Sequence, residues 1–198
     1  MNTYYIIRHG QTLFNAKHLI QGWSDSPLTQ LGVAQCIALG QGLATTPFNS
    51  AYCALSPRTI TSSQIILKGR NIALKPMQEL NEVCFGNLEG DKREEAFKDG
   101  EIDDFSSVGG ESILHVQKRL KVALTKINNE NQDAAIFMCL SSGVVGILID
   151  MLDPSYFETH PQQALDNASV TIITEDNGSY TIETVNDLTY LISGTKLA

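Results

Sequence analysis

Arg8 and His9 are the first residues of the chain that could perform chemistry together. They follow residues 4–7 (YYII), a run typical of a buried strand, and they open a polar turn, residues 8–12 (RHGQT). A strand that ends in such a turn presents its last side chains at the carboxyl edge of an α/β sheet, where ligands bind. There an imidazole can be aimed into a cleft, and a guanidinium offers a planar fork of donors for phosphate oxygens. The pair therefore indicates phosphate chemistry, although an Arg-His pair by itself is more often structural.

The segments that follow this turn extend the pattern along nearly the whole chain. They are Asn15, residues 21–23 (QGW), 25–29 (DSPLT), 51–60 (AYCALSPRTI), 80–82 (LNE), 85–90 (FGNLEG), 109–112 (GGES) and 167–170 (NASV). Together with RHGQT they resemble the histidine phosphatase (phosphoglycerate mutase-like) superfamily, in its short, phosphatase-type form. The opening motif, from residue 6 to residue 35, is long and specific, so chance does not account for the resemblance.

The resemblance implies two in-line phosphoryl transfers with a phosphohistidine between them. His9 falls on the histidine that attacks phosphorus, and Glu82 falls on the carboxyl group that protonates the leaving oxygen. Glu89 is a nearby competitor for the role of acid, but its position is more typical of structural support in the family. The predicted catalytic residues are therefore His9 and Glu82.

The phosphate-binding residues are implied in the same way. Arg8 and Arg58 fall on arginines that bring positive charge to the phosphoryl oxygens. The remaining predicted contacts are Asn15, Gln21, Gly22 and Ser142. Because arginines take the place that divalent ions have in other phosphatases, we expect no metal and no other cofactor. The expected partner is a small phosphorylated substrate or a phosphate ion.

Ser142 marks the largest departure from the family pattern. The family places a second histidine after a buried strand, in a serine-histidine-glycine turn, whereas residues 141–143 are SSG here. A serine keeps a hydrogen-bond donor but removes a potential positive charge beside the transferring phosphoryl group. Losing one oriented electrostatic contact commonly costs about a hundredfold or more in rate. We therefore expect reduced activity, whether the serine is natural or an engineered substitution.

Other residues bear on the same pocket. The remaining histidines of the chain are His18, His115 and His160. His18 lies in the loop before the QGW segment, where it can approach the pocket and replace the missing histidine, whereas His115 is predicted on a helix surface. Ala54 replaces a serine that is usual in the family, and Leu19 replaces an arginine found in many members. Both changes favour a pocket that binds phosphate less strongly than usual or is specialised for something else.

Three functions stay open at this point. The first is a phosphomonoester phosphatase acting through His9 with reduced activity. The second is a weak or inactive family member that binds a phosphorylated ligand, which Ser142 favours and the retained catalytic residues oppose. The third is a phosphoglycerate mutase, which is disfavoured because the stretch between residues 89 and 109 is too short to shield a phosphohistidine from water. Residues 85–112 and 154–167 are predicted to set specificity, but neither segment carries a signature for one substrate.

The elements that must position these residues alternate between strands and helices. Strands are predicted over residues 4–7, 51–55 and 134–140, and a late hairpin over 170–173 and 180–183. Helices are predicted over residues 29–43, 112–128 and 143–152, with a further helix that ends near residue 67. Residues 80–110 are predicted as a loop with short helices. This order predicts an α/β fold, a three-layer α/β/α sandwich with a mostly parallel sheet, as one domain over residues 1–198.

Composition restricts the partners and the compartment. The 198 residues carry a formal net charge of −8, which argues against nucleic acid or an anionic membrane as a partner, although a few arginines can still form a local phosphate site. The start does not resemble a signal peptide, and no apolar run reaches about 18 residues. The four cysteines are widely spaced without a CxxC pair, which favours a reducing cytoplasm. The sequence does not indicate an oligomeric state.

Overall fold

The computed structural model describes residues 1–98, 104–161 and 165–196. A six-stranded sheet lies at the centre of the fold. Its strands within these ranges are β1 (Asn2–Arg8), β2 (Ser50–Ala54), β3 (Leu74–Met77), β4 (Ala135–Leu140), β5 (Val170–Asp176) and β6 (Ser179–Asp187). Their order across the sheet is β3-β2-β4-β1-β5-β6. The first four strands are parallel, whereas β5 runs antiparallel to β1 and forms a hairpin with β6. The sheet is therefore mostly parallel, as predicted.

Helices cover both faces of this sheet. They are α1 (Leu13–Ala16), α2 (Gln30–Gly42), α3 (Pro57–Ile66), α4 (Arg93–Ala96), α5 (Ile113–Glu130), α6 (Ser142–Leu152), α7 (Tyr156–Thr159) and α8 (Thr189–Thr195). Ile7 of β1 packs in an apolar cluster with α2 and α3, and its neighbour Ile6 packs in a second cluster with α5 and α6. The two clusters lie on opposite faces because successive strand side chains point to opposite sides. Among the described residues, no helix has the length and apolar character needed to cross a bilayer. The predicted three-layer α/β/α sandwich is confirmed.

The strand pairing brings the predicted site residues to one edge of the sheet. Strands β1, β2 and β4 are neighbours and parallel, so their carboxyl ends lie side by side. The backbone N–H of His9, just after β1, donates to the carbonyl of Leu140, the last residue of β4, at 3.1 Å. Ser142 begins α6 directly after β4, and Arg58 lies in the first turn of α3 after β2. Residues that are far apart in the sequence therefore meet at this edge.

Four elements were not predicted from the sequence: the one-turn helices α1 and α7, strand β3 and helix α8. Strand β3 contains Pro76, which cannot donate to a neighbouring strand and argues against a strand assignment. It is tolerated because β3 is the edge strand of the sheet. Helix α8 packs against α2, where Gly194 lies directly against the backbone of Ala38. Of the predicted excursion over residues 80–110, the described part contains α4 and short 3-10 turns, and residues 99–103 lie outside the described residues.

Candidate active site

A cleft of about 970 Å³ opens at the carboxyl ends of these parallel strands. The eight residues predicted from the sequence all line it: Arg8, His9, Asn15, Gln21, Gly22, Arg58, Glu82 and Ser142. Its wall also contains His18 and Leu19, which the sequence placed near the pocket, and residues that were not singled out, among them Phe85, Arg93, Glu94, Ser141 and Asn167. The predicted site residues are thus brought together in one place.

The His9 imidazole is held in one tautomer. The side chain is 3% exposed, and its Nδ1 lies 2.8 Å from the carbonyl oxygen of Gly10. Because a carbonyl oxygen only accepts, Nδ1 carries the proton and Nε2 keeps a lone pair. Burial lowers the pKa of His9 well below its usual range, and the positive charges of Arg58 and Arg8 lower it further. The ring is therefore a neutral imidazole, the form that a nucleophile requires.

We expect His9 to stay neutral while the pH is lowered from about 8 to about 6, because an ordinary histidine gains its proton near pH ~6.5 and the pKa of His9 lies lower. The same difference makes folding stability fall as the pH drops below ~6.5, since the unfolded chain then binds a proton that the folded chain does not. Nitrogen-15 NMR of histidine-labelled protein measures both the charge and the tautomer. A doubly protonated His9 ring in this pH range would contradict the prediction.

Arg58 is a fixed cation at the floor of the cleft. The residue is 2% exposed, and its Nε donates to Ser141 Oγ at 3.2 Å. Its terminal nitrogens donate to the carbonyls of Gly22 and Ser24, at 2.7 and 3.1 Å, and to the carboxylate of Asp25 at 3.1 Å. Four of its five N–H donors are therefore used, which leaves one for a ligand oxygen. The same contacts fix the loop of residues 22–25 to the end of β4.

Arg8 keeps more of its donor capacity. It donates to the carbonyl of Leu165, and its Nε is buried without a partner among the described residues. Burial lowers the pKa of Arg8, the carboxylates of Glu82 and Asp166 oppose that change, and the like charge of Arg93 adds to it. A buried N–H without an acceptor is unfavourable by about 1–3 kcal/mol, so a ligand oxygen would find a ready donor here.

Glu82 caps the helix that begins at Ser142. Its buried carboxyl group accepts the backbone N–H groups of Gly143 and Val144, at 2.9 and 2.8 Å, and that of Val83 at 2.9 Å. Gly143 and Val144 lie in the first turn of α6, whose N–H groups have no partner within the helix. A Cβ atom at Gly143 would lie 2.6 Å from Glu82 Oε1, so the close approach requires glycine. The predicted acid is therefore hydrogen-bonded to the same helical turn that contains Ser142.

A buried ion pair holds the loop that carries Glu82. Arg119 contacts both carboxylate oxygens of Glu111, each at 3.0 Å. The same guanidinium donates to the carbonyls of Glu79, Asn81 and Glu82 at 2.9, 2.6 and 3.0 Å. Glu111 belongs to the GGES segment noted in the sequence, whereas Arg119 was not singled out. The pair therefore fixes the backbone of residues 79–82 and, with it, the position of Glu82.

We expect Arg119→Met to lower the free energy of unfolding by about 3–5 kcal/mol, because it leaves the buried Glu111 without its partner. Urea unfolding measures the change. The double variant Glu111→Gln/Arg119→Met should regain part of the loss, since it removes the uncompensated charge. Lys75→Met is the matched control: it breaks the exposed pair with Glu130, 2.8 Å apart, and should change stability by less than about 1 kcal/mol. Equal losses in the two single variants would contradict the prediction.

Asn15, Gln21 and Gly22 differ in what they can offer a ligand. Asn15 Oδ1 accepts from the backbone of Thr12 and from Asn167, at 3.1 and 3.2 Å, and its amide nitrogen has no partner among the described residues. Gln21 is engaged internally, since its Oε1 accepts from the Thr12 hydroxyl at 2.8 Å. Gly22 has φ +55°, a conformation that favours glycine. Asn15 is thus the member of this group with a free donor, and the other two shape the loop.

No second imidazole stands in place of the family's histidine. The Ser142 hydroxyl makes no hydrogen bond within the described part of the chain. His18 lines the cleft with an exposed side chain. His115 on α5 lies 3.5 Å from Glu111, and His160 stacks on a neighbouring tyrosine; neither lines the cleft. Only His18 is therefore placed where the predicted replacement could act.

Asn167 and Arg93 are cleft residues that the sequence did not identify as such. Asn167 donates to the carbonyl of His9 at 2.9 Å and also contacts Asn15. The NASV segment marked this position, but the role of the asparagine became visible only in the fold. Arg93 lies in a charged stretch without a recognisable motif, so no sequence signal pointed to it.

The chain is similar to proteins of one family. A model of the histidine phosphatase superfamily (branch 1) matches residues 4–188. The adenosylcobalamin/alpha-ribazole phosphatase of Salmonella typhimurium is 33% identical over 85 residues, which are 43% of this chain and 42% of that protein, so the match spans less than half of its length. The probable phosphoglycerate mutase GpmB of Proteus mirabilis is 27% identical over 94% of each chain. The crystal structure of phosphoglycerate mutase from Bacillus anthracis str. Sterne superposes with a TM-score of 0.87 and 29% identity, covering 98% of this chain and 96% of that one. Similar proteins thus include both phosphatases and mutases.

Proposed function

Because the chain belongs to the histidine phosphatase superfamily, we propose that it is a phosphomonoester phosphatase that works through a phosphohistidine at His9, with activity reduced by Ser142. The observation that carries the proposal is the buried, neutral His9, whose Nδ1 is fixed by the Gly10 carbonyl. Its Nε2 lone pair is available in a cleft that also contains Arg8 and Arg58. This combination supplies a nucleophile and positive charge for the phosphoryl oxygens.

The proposed reaction has two steps. In the first, Nε2 of His9 forms a bond to phosphorus, the bond from phosphorus to the ester oxygen breaks, and Glu82 gives its proton to that oxygen. In the second, water attacks the phosphohistidine, the nitrogen–phosphorus bond breaks, inorganic phosphate leaves, and a proton of the water returns to Glu82. Arg8 and Arg58 stabilise the charge on the phosphoryl oxygens in both steps. Ser142 donates a neutral hydrogen bond where the family has a histidine, so this stabilisation is weaker.

Hydrolysis is favoured over transfer to a second acceptor because the rim of the cleft is exposed. His18, Arg93 and Glu94 line the rim with exposed side chains, so water can reach a phosphohistidine. Chain length does not separate the two activities, since the match to GpmB covers 94% of both chains. A member that binds a phosphorylated ligand without turnover is the second candidate, and Ser142 is the observation that favours it.

The test is a reaction mixture that contains a chelator and a panel of phosphomonoesters, including 4-nitrophenyl phosphate and 3-phosphoglycerate. Released phosphate and 2-phosphoglycerate are measured together, and a phosphorus-32 label on the protein is checked for the acid lability and alkali stability of phosphohistidine. Phosphate release with such a label supports the proposal. Formation of 2-phosphoglycerate without phosphate release would mean a mutase. Binding of the esters with neither product would mean a binding protein.

A further inference from the structure

The arginines of the cleft differ in their pairing. Arg58 lies 3.1 Å from the carboxylate of Asp25, which balances part of its positive charge. Within the described ranges, Arg8 and Arg93 have no carboxylate oxygen within 4 Å of their guanidinium nitrogens. The cleft of this chain, which has a net charge of −8, thus contains two arginines without an ion pair among those residues.

Backbone pairing places Arg93 beside the position of the missing family arginine. The segment of residues 18–20 pairs with residues 90–93: Ile20 N–H donates to Asp91 at 2.9 Å, and Arg93 N–H donates to His18 at 3.0 Å. Leu19 is bridged to Lys92 in this ladder. The guanidinium carbon of Arg93 lies 4.8 Å from the ring centre of Phe97, a cation–π contact that restricts it. Arg93 therefore brings a cation to the wall on which Leu19 is apolar.

Arg8 and Arg93 are also close enough to affect each other. Burial has the largest effect on the pKa of Arg8 and lowers it, the carboxylates of Glu82 and Asp166 oppose that change, and the positive charge of Arg93 contributes a smaller lowering. Two like charges that face one cleft repel, and an anionic ligand between them relieves the repulsion. A cleft of about 970 Å³ is also in the size range that holds a whole organic ligand, so it has room for groups beyond the phosphate.

We propose that Arg93 is a specificity-determining residue that binds a second anionic group of the substrate, such as a carboxylate, while the phosphate lies against His9 and Arg8. The assignment of the phosphate end rests on the proposed function. Arg93 in this way replaces the charge that Leu19 does not supply. Glu94 lines the same wall, and its carboxylate repels a second anionic group of the substrate. The preference for such substrates is therefore modest.

The test measures binding, so it does not depend on turnover. Calorimetry compares phosphonoacetate with ethylphosphonate, 3-phosphonopropionate with propylphosphonate, and 4-carboxyphenylphosphonate with phenylphosphonate, which places the carboxylate at three distances from the phosphonate. We expect the protein to bind the carboxylated member of at least one pair about fivefold more tightly. Arg93→Gln should remove that preference and leave the affinity for the partner without a carboxylate unchanged.

Lys92→Gln is the matched control, since Lys92 is the preceding cation, pairs with Glu95 at 3.3 Å and does not line the cleft. It should keep the preference, and Leu19→Arg in the Arg93→Gln background should restore it. Absence of a preference in all three pairs, or an equal loss in Lys92→Gln, would overturn the inference. Phosphonate binding with a preference but no turnover of any ester would overturn the proposed hydrolysis alone. Failure to bind any phosphonate would overturn both.

Discussion

His9→Ala is expected to lower kcat by about 10,000-fold or more, because it removes the only group proposed to bond to phosphorus. The remaining arginines can still hold a phosphoester, so KM should change much less than kcat. The measurement is the initial rate with 4-nitrophenyl phosphate in the presence of a chelator, beside a thermal unfolding curve that shows the variant is folded. The acid-labile phosphorus-32 label should disappear as well.

His18→Ala is the matched control for this loss. His18 lines the same cleft, but its side chain is exposed and the proposed mechanism assigns it no contact with the phosphoryl group. We expect its rate to stay within about twofold of the parent, as for most surface substitutions. A His9→Ala variant that keeps its activity would place the nucleophile elsewhere. A large loss in His18→Ala would mean that His18 serves as the missing second histidine.

Ser142→His is expected to raise kcat by about 100-fold, because it restores an oriented, chargeable donor beside the transferring phosphoryl group. The position lies on the wall of the open cleft, so an imidazole has room. The same assay measures the gain, and adding His9→Ala to the variant should abolish it.

Ser142→Ala is the control that distinguishes the effect of adding an imidazole from the effect of removing the serine side chain. Since the Ser142 hydroxyl has no hydrogen-bond partner among the described residues, its removal should leave the fold intact, and it should lower the rate because the proposed neutral hydrogen bond to the phosphoryl group is lost. An unchanged rate in Ser142→His would show that the missing histidine does not limit the enzyme. A gain in Ser142→Ala equal to that in Ser142→His would point to relief of crowding instead of restored charge.

The sequence predicted the fold class and the residues that meet in the cleft because both depend on short segments at strand ends. The run before Arg8 is a strand, and parallel pairing with β4 brings the turn after it beside residues 141–143. Once the strands are parallel, their carboxyl ends must coincide. The catalytic roles of His9 and Glu82 are not tested by position alone and stay predictions, as does the single-domain organisation over residues 1–198.

The features that were missed depend on contacts between distant segments. Arg93 reaches the cleft because residues 90–93 pair with residues 18–20 through backbone hydrogen bonds. No local sequence pattern predicts this pairing. Arg119 looks like an ordinary helix arginine until the fold buries it against Glu111. Strand β3 was not predicted because it contains Pro76. A proline disrupts a central strand but is tolerated in an edge strand, and the sequence does not show which of the two β3 is.

The attachment of Glu82 to α6 has a consequence for how this site can change over generations. The carboxylate is held by main-chain N–H groups of Gly143 and Val144, which every residue type at position 142 leaves in place. The side chain at position 142 therefore takes no part in the hydrogen bonds that hold Glu82. A single replacement at this position can therefore weaken or strengthen the chemistry while the hydrogen bonds that hold the acid remain, so reactivity here can drift and revert on the same scaffold.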